Sequence, residues 1–344
     1  MSARKRPPSQ SDVASLAGVS TQTVSRVANG SSNVDENTRE RVLSAMRMLG
    51  YHRNSAARAL NLGRFHMLGV ISFDLSAHGN ARTLAAVSRA AQAAGYSVNV
   101  AGVENQTEDA VQAAVAHLTG QAVDGLVVIE AQILDRTGLQ LSAGVPVIVA
   151  DGDPEHPFSS VDNNQAAGSE AATEHLLDLG HRTVWHVAGP QDSYSARHRA
   201  TAWHSTLKRA GAWVPPLQLG DWTADSGYRI GRELAARNDV TAIFAANDQM
   251  ALGVMRALHE ADRAVPGDVS VVGFDDMPES ACFFPPLTTI HQDFEEIGRQ
   301  CVSLLLDRIQ QPADTAKRLI TVSPRLVVRA SSGPPPARPD QNPA

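Results

Sequence analysis

Residues 11–30 read SDVASLAGVSTQTVSRVANG and contain two short helical patterns joined by a glycine turn. The first pattern covers 11–17 and places its apolar side chains on one face. Gly18 ends it, because glycine readily adopts the left-handed conformation of a helix end. Ser20 is a good cap for the second pattern, and a third helical stretch follows at about 36–49. Helix, short turn, helix and supporting helix predict a helix-turn-helix head.

The second helix of this head carries outward side chains that match the edges of DNA bases. Gln22 can pair with adenine, Arg26 can pair with guanine, and Thr21 offers both a hydroxyl and a methyl group. Short side chains suited to phosphate oxygens lie beside them: Ser20, Ser25 and Asn29. The sequence therefore predicts that this helix enters the major groove of double-stranded DNA. The alternative is a small three-helix packing domain with a polar surface.

The charge of the chain is divided between its two parts. Residues 1–64 contain ten Lys and Arg against four Asp and Glu, whereas the remaining residues contain twenty against thirty-two. A basic head on an acidic body predicts a polyanionic partner for the head alone.

Composition and cysteine usage restrict the class of protein. Apolar residues make up 43% and charged residues 19% of the 344 residues, as in ordinary globular proteins. Cys282 and Cys301 lie outside any metal-ligand spacing, and no secretory signal or run of about 18 apolar residues occurs. We therefore expect a cytoplasmic protein with no membrane span, no metal and no cofactor.

From Met67 onward, apolar strand-like runs alternate with helical stretches. The strand candidates are 67–73, 97–101, 124–130, 146–150, 183–189, 241–247, 269–274 and 287–290. This alternation predicts parallel sheets covered by helices, and two sets of strands predict two doubly wound lobes. Because ligands bind at the carboxyl ends of such strands, the site is expected in the cleft between the lobes.

Polar and aromatic residues follow several of these strands or begin the helices beside them. They are Asp151, Asn247, Asp248, Asp275 and Asp276 at strand ends, Arg197 at a helix start, Trp222 and the segment HQDF at 291–294. Carboxylates, an amide and a guanidinium bind vicinal hydroxyls, and an indole covers the apolar face of a sugar. The set predicts a site for a neutral carbohydrate. Taken singly, a strand-end Asp is more commonly a helix cap or a turn residue.

The segments DVASLAGVSTQTVSRVANG (12–30) and TRERVLSAMRMLGYHRNSAARAL (38–60) resemble the head of the lactose-repressor (LacI/GalR) family of bacterial transcription regulators. The resemblance implies that Thr21, Gln22 and Arg26 read bases. It also implies a hinge helix at 54–64 that pairs across a homodimer and inserts Leu60 into the minor groove. From the residues alone, a plain helical linker with a buried leucine is the favoured alternative, and the resemblance reverses that preference.

The resemblance continues through residue 330 and covers the motifs GDWTADSG (220–227) and AANDQMALGVMRAL (245–258). It implies a two-lobed core like that of periplasmic binding proteins, and sugar contacts at the seven residues Asp151, Arg197, Trp222, Asn247, Asp275, Gln292 and Phe294. Two positions depart from the lactose-responsive pattern: Asn163 replaces an aromatic residue, and Phe73 replaces a small polar one. These differences are expected to alter the floor of the pocket.

The predicted organisation has four parts. They are the head at 1–53, the hinge helix at 54–64, the two-lobed sugar-binding and dimerisation domain at 65–330, and a Pro-rich disordered tail at 331–344. Within the two-lobed domain, the first lobe is expected at about 65–160 plus 291–322, and the second at about 161–288 plus 323–330. The resemblance implies that a C-terminal leucine-heptad helix would make tetramers, but residues 331–344 contain no such heptads. Because two-fold operator half-sites require two copies of the head, a dimer is expected.

Together these features predict a transcriptional repressor of sugar-utilisation genes that a small carbohydrate of the β-galactoside class releases from its operator DNA. The alternatives are a different sugar such as a β-glucoside or cellobiose, an effector that strengthens DNA binding, and a sugar-binding sensor without repressor activity. An enzyme is not expected, because neighbouring Asp275 and Asp276 would point to opposite faces of a strand, and the sequence contains no HExxH, P-loop or GxSxG pattern.

Overall fold

The computed structural model describes most of the chain. The described residues are 6, 8–28, 31, 33–51, 64–75, 77–103, 107–129, 144–152 and 157–337. The chain divides into two compact units, Met1–Phe65 and His66–Ala344.

The first unit contains three helices: α1 (Gln10–Ala17), α2 (Thr21–Ala28) and α3 (Glu36–Leu49). Ser9 caps α1 in a reciprocal pair of hydrogen bonds with Asp12, and Gly18 ends it at φ 64°. The three helices bury a shared apolar core that includes Val13, Val24 and Val42. The helix-turn-helix prediction is therefore confirmed in this unit.

The second unit contains two six-stranded sheets. The first sheet consists of β1 (Met67–Phe73), β2 (Ser97–Val103), β3 (Gly125–Ile129), β4 (Val147–Ala150), β5 (Ser159–Asp162) and β11 (Leu319–Thr321). Its strand order is β11-β5-β4-β3-β1-β2, and every described pairing is parallel.

The second sheet consists of β6 (Trp185–Ala188), β7 (Gln218–Leu219), β8 (Ala242–Ala245), β9 (Ser270–Asp275), β10 (Thr288–His291) and β12 (Arg325–Val327). Its strand order is β12-β10-β9-β8-β6-β7, and only β12 is antiparallel to its neighbour. All eight strand candidates from the sequence are strands, which confirms the two doubly wound lobes.

Helices cover both sheets. They are α4 (His78–Ala93), α5 (Glu108–Gly120) and α10 (Phe294–Gln310) on the first sheet, and α6 (Gln165–Asp178), α7 (Tyr194–Arg209), α8 (Ala224–Ala235) and α9 (Asp248–Glu260) on the second lobe. Because both faces of a parallel sheet are covered, its central strands are continuous apolar runs. In β3, all five residues are buried.

The chain passes between the two lobes three times. β5 is followed by α6, β10 is followed by α10, and β11 is followed by β12, so the crossings lie at 163–164, 292–293 and 322–324. Two of them are bridged directly, since Asn163 Nδ2 donates to Gln292 Oε1. In the third, the backbone N–H of Val322 donates to the carbonyl of Asp162 at 2.8 Å.

The start of the predicted disordered tail is folded. Ser331 is fully buried, and its Oγ accepts from the N–H of Thr288 at 2.8 Å and donates to the carbonyl of Val271 at 2.6 Å. The prediction of disorder is therefore wrong for this segment, because a serine at this position satisfies two backbone groups of the sheet. Residues 338–344 lie outside the described part of the chain.

Candidate functional site

The exposed face of α2 carries the predicted base-reading residues. Thr21, Gln22 and Arg26 are exposed, whereas Val24 and Val27 on the opposite face are buried. The structure therefore brings the three side chains to one accessible face of a short helix. Their role in reading bases stays a prediction.

The residues predicted to contact phosphates differ in their surroundings. Ser20 is exposed, and its Oγ accepts from the N–H of Thr23 at 3.1 Å, so it caps α2 as expected. Ser25 is half-buried on the same helix. Asn29, and Leu60 of the predicted hinge helix, lie outside the described residues.

In the second unit, a cleft opens between the two lobes at the carboxyl ends of their strands. It is lined by Ala77, His78, Gly79, Asn80, Asp151, Gln165, Ser195, Arg199, Trp222, Asn247, Asp275, Gln292 and Phe294. Six of the seven predicted effector residues are in this lining. The structure thus brings together residues separated by more than 140 positions in the sequence, although their contact with an effector stays a prediction.

The predicted arginine is not in the cleft. Arg197 lies on α7 beside a separate surface cavity of about 420 Å³ that Leu217 and Leu219 also line. The arginine of the cleft is Arg199, two residues further along the same helix. Because successive residues of an α-helix are about 100° apart, side chains two positions apart point to nearly opposite faces. The assignment of Arg197 is therefore corrected to Arg199.

Arg199 is held from several sides in the buried part of the cleft. Its Nε donates to Gln165 Oε1 at 2.9 Å, its Nη1 donates to the carbonyl of Ala246, and its Nη2 lies 3.7 Å from Asp275 Oδ1. The guanidinium carbon lies 3.7 Å from the ring centroid of Phe274. Such a guanidinium is fixed in orientation before a ligand arrives.

Three cleft residues adopt the left-handed backbone region that favours glycine. Asp151 has φ 52°, Trp222 has φ 72° and Asp275 has φ 110°. A non-glycine residue in this region is strained, and such strain clusters at binding sites where the surrounding structure holds it in place. The backbone thus supports the choice of these three residues.

Trp222 is packed closely from behind. A Cβ added to Gly189 would lie 2.4 Å from the indole, so only glycine leaves room for this ring. The carbonyl of Trp222 accepts from Asn247 Nδ2 at 3.0 Å, while Asn247 Oδ1 caps α9 by accepting from the N–H of Met250 at 2.8 Å. Asn247 is therefore a helix cap as well as a cleft residue, and the two interpretations of strand-end polar residues coexist here.

The carboxylates of the cleft are electrostatically unusual. Burial raises the pKa of Asp275 to about 6, although Arg199 and the hydrogen bond from Gln292 act in the opposite direction. Directly behind it, burial and then the charge of Asp275 raise the pKa of Asp248 to about 7. Asp248 accepts hydrogen bonds from Ser280 Oγ, Thr289 Oγ1 and the N–H of Met277. Perturbed carboxyl groups in a cleft indicate a functional site.

Asp276, next to Asp275, is not part of the cleft lining. It accepts from Arg329 Nη2 at 2.6 Å and forms a 2.9 Å hydrogen bond with His291 Nδ1. Although burial opposes the effect, these contacts lower the pKa of Asp276. The two neighbouring carboxylates therefore have different roles: Asp275 lines the cleft, and Asp276 forms a structural ion pair with Arg329.

Two aromatic residues, His78 and Phe294, line the cleft on the side of the first lobe. His78 at the start of α4 contacts the ring of Phe294 edge-on, with centroids 6.1 Å apart. Burial and then the charge of Arg82 lower the pKa of His78, although the charge of Glu279 acts in the opposite direction.

The two departures from the lactose-responsive pattern have different outcomes. Asn163 is fully buried at the crossing between the lobes, where it donates to Gln292 Oε1 and its N–H donates to Asp151 Oδ1 at 2.9 Å. Phe73 is instead buried in the core of the first lobe with Val111 and Leu118. The expectation that Phe73 alters the pocket floor is therefore wrong, because its side chain leaves β1 on the face that α5 covers.

Several cleft residues were missing from the sequence prediction. The four residues 77–80 follow β1, so the rule that ligands bind at the carboxyl ends of strands would have indicated them. Ser195 and Arg199 lie four residues apart on α7, and this helical spacing indicates a shared face. Gln165 begins α6 directly after a crossing between the lobes, and no local pattern in the sequence marks it.

The cavity within the cleft is small. The cavity between the lining side chains has a volume of about 50 Å³, whereas pockets for small molecules are usually about 300–1,000 Å³. A sugar therefore enters only if the lobes separate or the lining side chains move.

Two further features of the described residues concern metal ions and membranes. Among them, no group of three or more His, Cys, Asp or Glu side chains has the geometry to hold a metal ion. None of their helices is both long and apolar enough to cross a membrane.

Comparison with known proteins follows the same division of the chain. Residues 11–54 match the model of bacterial regulatory proteins of the lacI family, and residues 173–332 match a periplasmic binding protein-like domain. The chain is 39% identical over 322 residues to the lactose operon repressor of Escherichia coli (strain K12), which covers 92% of this chain and 89% of that protein.

Two solved structures extend the comparison. A crystal structure of the lac repressor dimer bound to operator and the anti-inducer ONPF has a TM-score of 0.84 and 37% identity, covering 95% of this chain and 100% of that one. A complex of the transcriptional regulator CelR with cellobiose has a TM-score of 0.69 and 34% identity, covering 94% and 99%.

Proposed function

Because the chain belongs to the lacI family of bacterial regulatory proteins, we propose that it is a sequence-specific DNA-binding repressor of sugar-utilisation genes. In this proposal a homodimer binds operator DNA through α2 of each head, and a small carbohydrate in the cleft releases it. The observation that carries the proposal is the convergence of six predicted effector residues, together with Arg199, on one cleft. The exposed Thr21, Gln22 and Arg26 supply the chemistry for base recognition.

The proposed effector is a β-galactoside. Asp151 and Asp275 accept hydrogen bonds from sugar hydroxyls, the Arg199 guanidinium donates to them, and the Trp222 indole covers an apolar sugar face. The 39% identity to the lactose operon repressor of Escherichia coli supports this choice. The cleft contains amides and carboxylates beside one guanidinium, and this set suits a neutral ligand better than an anionic one.

The proposed mechanism is a change in the relation of the two lobes. Since the cavity between the lining side chains has a volume of only about 50 Å³, we infer that sugar binding shifts the lobes or the lining side chains. The three crossings at 163–164, 292–293 and 322–324 are the segments that absorb the change. If the sugar weakens operator binding by some factor, operator DNA weakens sugar binding by the same factor.

A β-glucoside such as cellobiose is the second candidate effector. Asn163 supports a sugar other than the lactose type, because this buried residue contacts Gln292 and Asp151 and stands where the lactose-responsive pattern has an aromatic residue. The structural similarity to the CelR complex with cellobiose supports the same choice.

The proposed activity is binding without turnover. Glycoside hydrolysis commonly requires two carboxyl groups that face the same bond. Asp276 is occupied by Arg329 and His291, and this arrangement supports a binding site rather than a hydrolytic pair with Asp275.

The test is fluorescence anisotropy of labelled DNA from the region upstream of the gene, titrated with pure full-length protein at a fixed salt concentration. Lactose, methyl β-galactoside, cellobiose and ribose are then added one at a time. The proposal expects tight binding and release by a β-galactoside alone. Release by cellobiose alone would favour the second candidate, and DNA binding that no sugar alters would contradict the assignment of the cleft. Sugar binding without any DNA binding would identify a sensor rather than a repressor.

A further inference from the structure

Four buried side chains in the cleft form a closed ring of polar contacts. Arg199 Nε donates to Gln165 Oε1 at 2.9 Å, and Gln165 Nε2 donates to Gln292 Oε1 at 3.2 Å. Gln292 Nε2 then donates to Asp275 Oδ1 at 2.6 Å, and this oxygen lies 3.7 Å from Arg199 Nη2. We call these four residues the polar ring.

The two charged members of the polar ring, Arg199 and Asp275, fix which atoms donate and which accept hydrogen bonds around it. A guanidinium has only donors, and an ionised carboxylate has only acceptors. The two amides between them must therefore turn their oxygens toward Arg199 and their NH₂ groups toward Asp275. Gln165 accepts from Arg199 and donates to Gln292, so it orients the Gln292 amide, and it also lines the cleft.

Asn163 adds a second donor to the same point of the ring. Its Nδ2 donates to Gln292 Oε1, while its Oδ1 is buried and has no hydrogen-bond partner among the described atoms. Asn163 thus supports the present orientation of Gln292, but its own amide can turn over without breaking another described side-chain hydrogen bond.

We propose that Gln165 is a positioning residue of the effector cleft, which fixes the Gln292 amide in one orientation and thereby holds the Asp275 carboxylate ready for the sugar. The inference rests on the proposed function, since it assigns Gln165 a role in sugar binding. Gln165 affects sugar binding indirectly, because it orients Gln292, which in turn holds Asp275.

The test reverses the order of hydrogen-bond donors and acceptors around the polar ring. In Gln165→Glu, the new carboxylate still accepts from Arg199 but cannot donate to Gln292, so two acceptors face each other. If Gln292 turns over, its oxygen faces the acceptor Asp275. The additional change Asp275→Asn supplies a donor at this position and restores a complete ring with the opposite direction. The two substitutions are therefore expected to compensate each other although the two side chains share no described hydrogen bond.

Sugar binding is measured on full-length protein at pH 7.5 by tryptophan fluorescence, with methyl β-galactoside and cellobiose as probes. Gln165→Glu alone is expected to raise the dissociation constant of the bound sugar about tenfold or more, because it leaves a buried acceptor unpaired. The double variant is expected to bind at least about tenfold better than the product of the two single effects predicts. Gln218→Glu, which adds the same charge on β7 outside the cleft, is the control and is expected to bind as the unaltered protein does.

A second variant separates orientation from simple packing. Gln165→Met keeps the length of the side chain but has neither a donor nor a matching acceptor, so it is expected to weaken binding without any recovery by Asp275→Asn. Urea unfolding of the same variants without sugar measures the compensation independently of binding. The inference is overturned if the effects of Gln165→Glu and Asp275→Asn on the dissociation constant multiply to within about twofold while their effects on the free energy of unfolding simply add. It is also overturned if Gln165→Met binds the sugar normally. If the unaltered protein binds neither sugar while the unfolding measurements still show compensation, the proposed function has failed and the orientation of the ring has not.

Discussion

Asp275→Asn is expected to stabilise the second unit at pH 8 while it weakens sugar binding. The Asp275 carboxyl is buried, and burial raises its pKa from 3.8 to about 6 despite the opposing effects of Arg199 and Gln292. The folded protein thus binds a proton at this group more tightly than the unfolded chain does. Ionised Asp275 therefore costs stability, and an asparagine avoids this cost.

The magnitude follows from the size of the pKa shift. A shift of roughly two units at about 1.4 kcal/mol each corresponds to on the order of 3 kcal/mol of lost stability above pH 7. The loss accumulates as the pH rises from about 4 to about 6, so at pH 5 it is about half as large. The gain from Asp275→Asn is expected to follow the same profile. Removing the charge also lowers the pKa of Asp248 behind it, which adds a contribution of the same sign.

The assay is urea unfolding followed by tryptophan fluorescence at pH 5 and pH 8, at equal protein concentrations because any association between copies would change the apparent stability. Asp276→Asn is the matched control, since the pKa of Asp276 is lowered by its contacts with Arg329 and His291. That variant is expected to lose stability at pH 8. If Asp275→Asn also destabilises the protein at pH 8, the argument that burial dominates at Asp275 is refuted.

Three further predictions test other parts of the account. Arg199→Met is expected to abolish the sugar response while operator binding persists, and Arg197→Met, on the other face of α7, is expected to leave the response intact; anisotropy with DNA and sugar distinguishes them. Arg26→Ala is expected to weaken operator binding by about 1–3 kcal/mol and relax base preference, and unchanged sugar affinity by tryptophan fluorescence is its control. Gly189→Ala is expected to displace the Trp222 indole, because the added Cβ would lie 2.4 Å from it; normal sugar affinity and an unshifted emission spectrum would contradict this contact.

The sequence predicts the fold well because its patterns are local. The apolar runs of the two sheets are continuous since both faces of each central strand are buried, and Gly18 marks the turn between α1 and α2. The short strands β7 and β11, with two and three residues, carry too little pattern to be recognised in advance. Their pairing depends on neighbours that are distant in the sequence.

The site is predicted less completely, and the reasons are geometric. Strand ends indicate Asp151, Asn247 and Asp275, since carboxyl ends of parallel strands share one edge of a sheet. Choosing between Arg197 and Arg199 requires the rotation of α7 about its axis, and a motif alone does not give this rotation. Gln165 becomes visible only when Arg199 and Gln292 are placed beside it.

In the proposed function, one protein couples the binding of a sugar in the cleft to the binding of operator DNA at the head. The most direct test measures operator affinity with and without saturating sugar, and sugar affinity with and without saturating operator, under identical salt conditions. Each ligand is expected to weaken the binding of the other by the same factor, and Arg199→Met is expected to remove this coupling while it leaves operator affinity unchanged. Tight binding of both ligands with no mutual effect would contradict the proposed coupling.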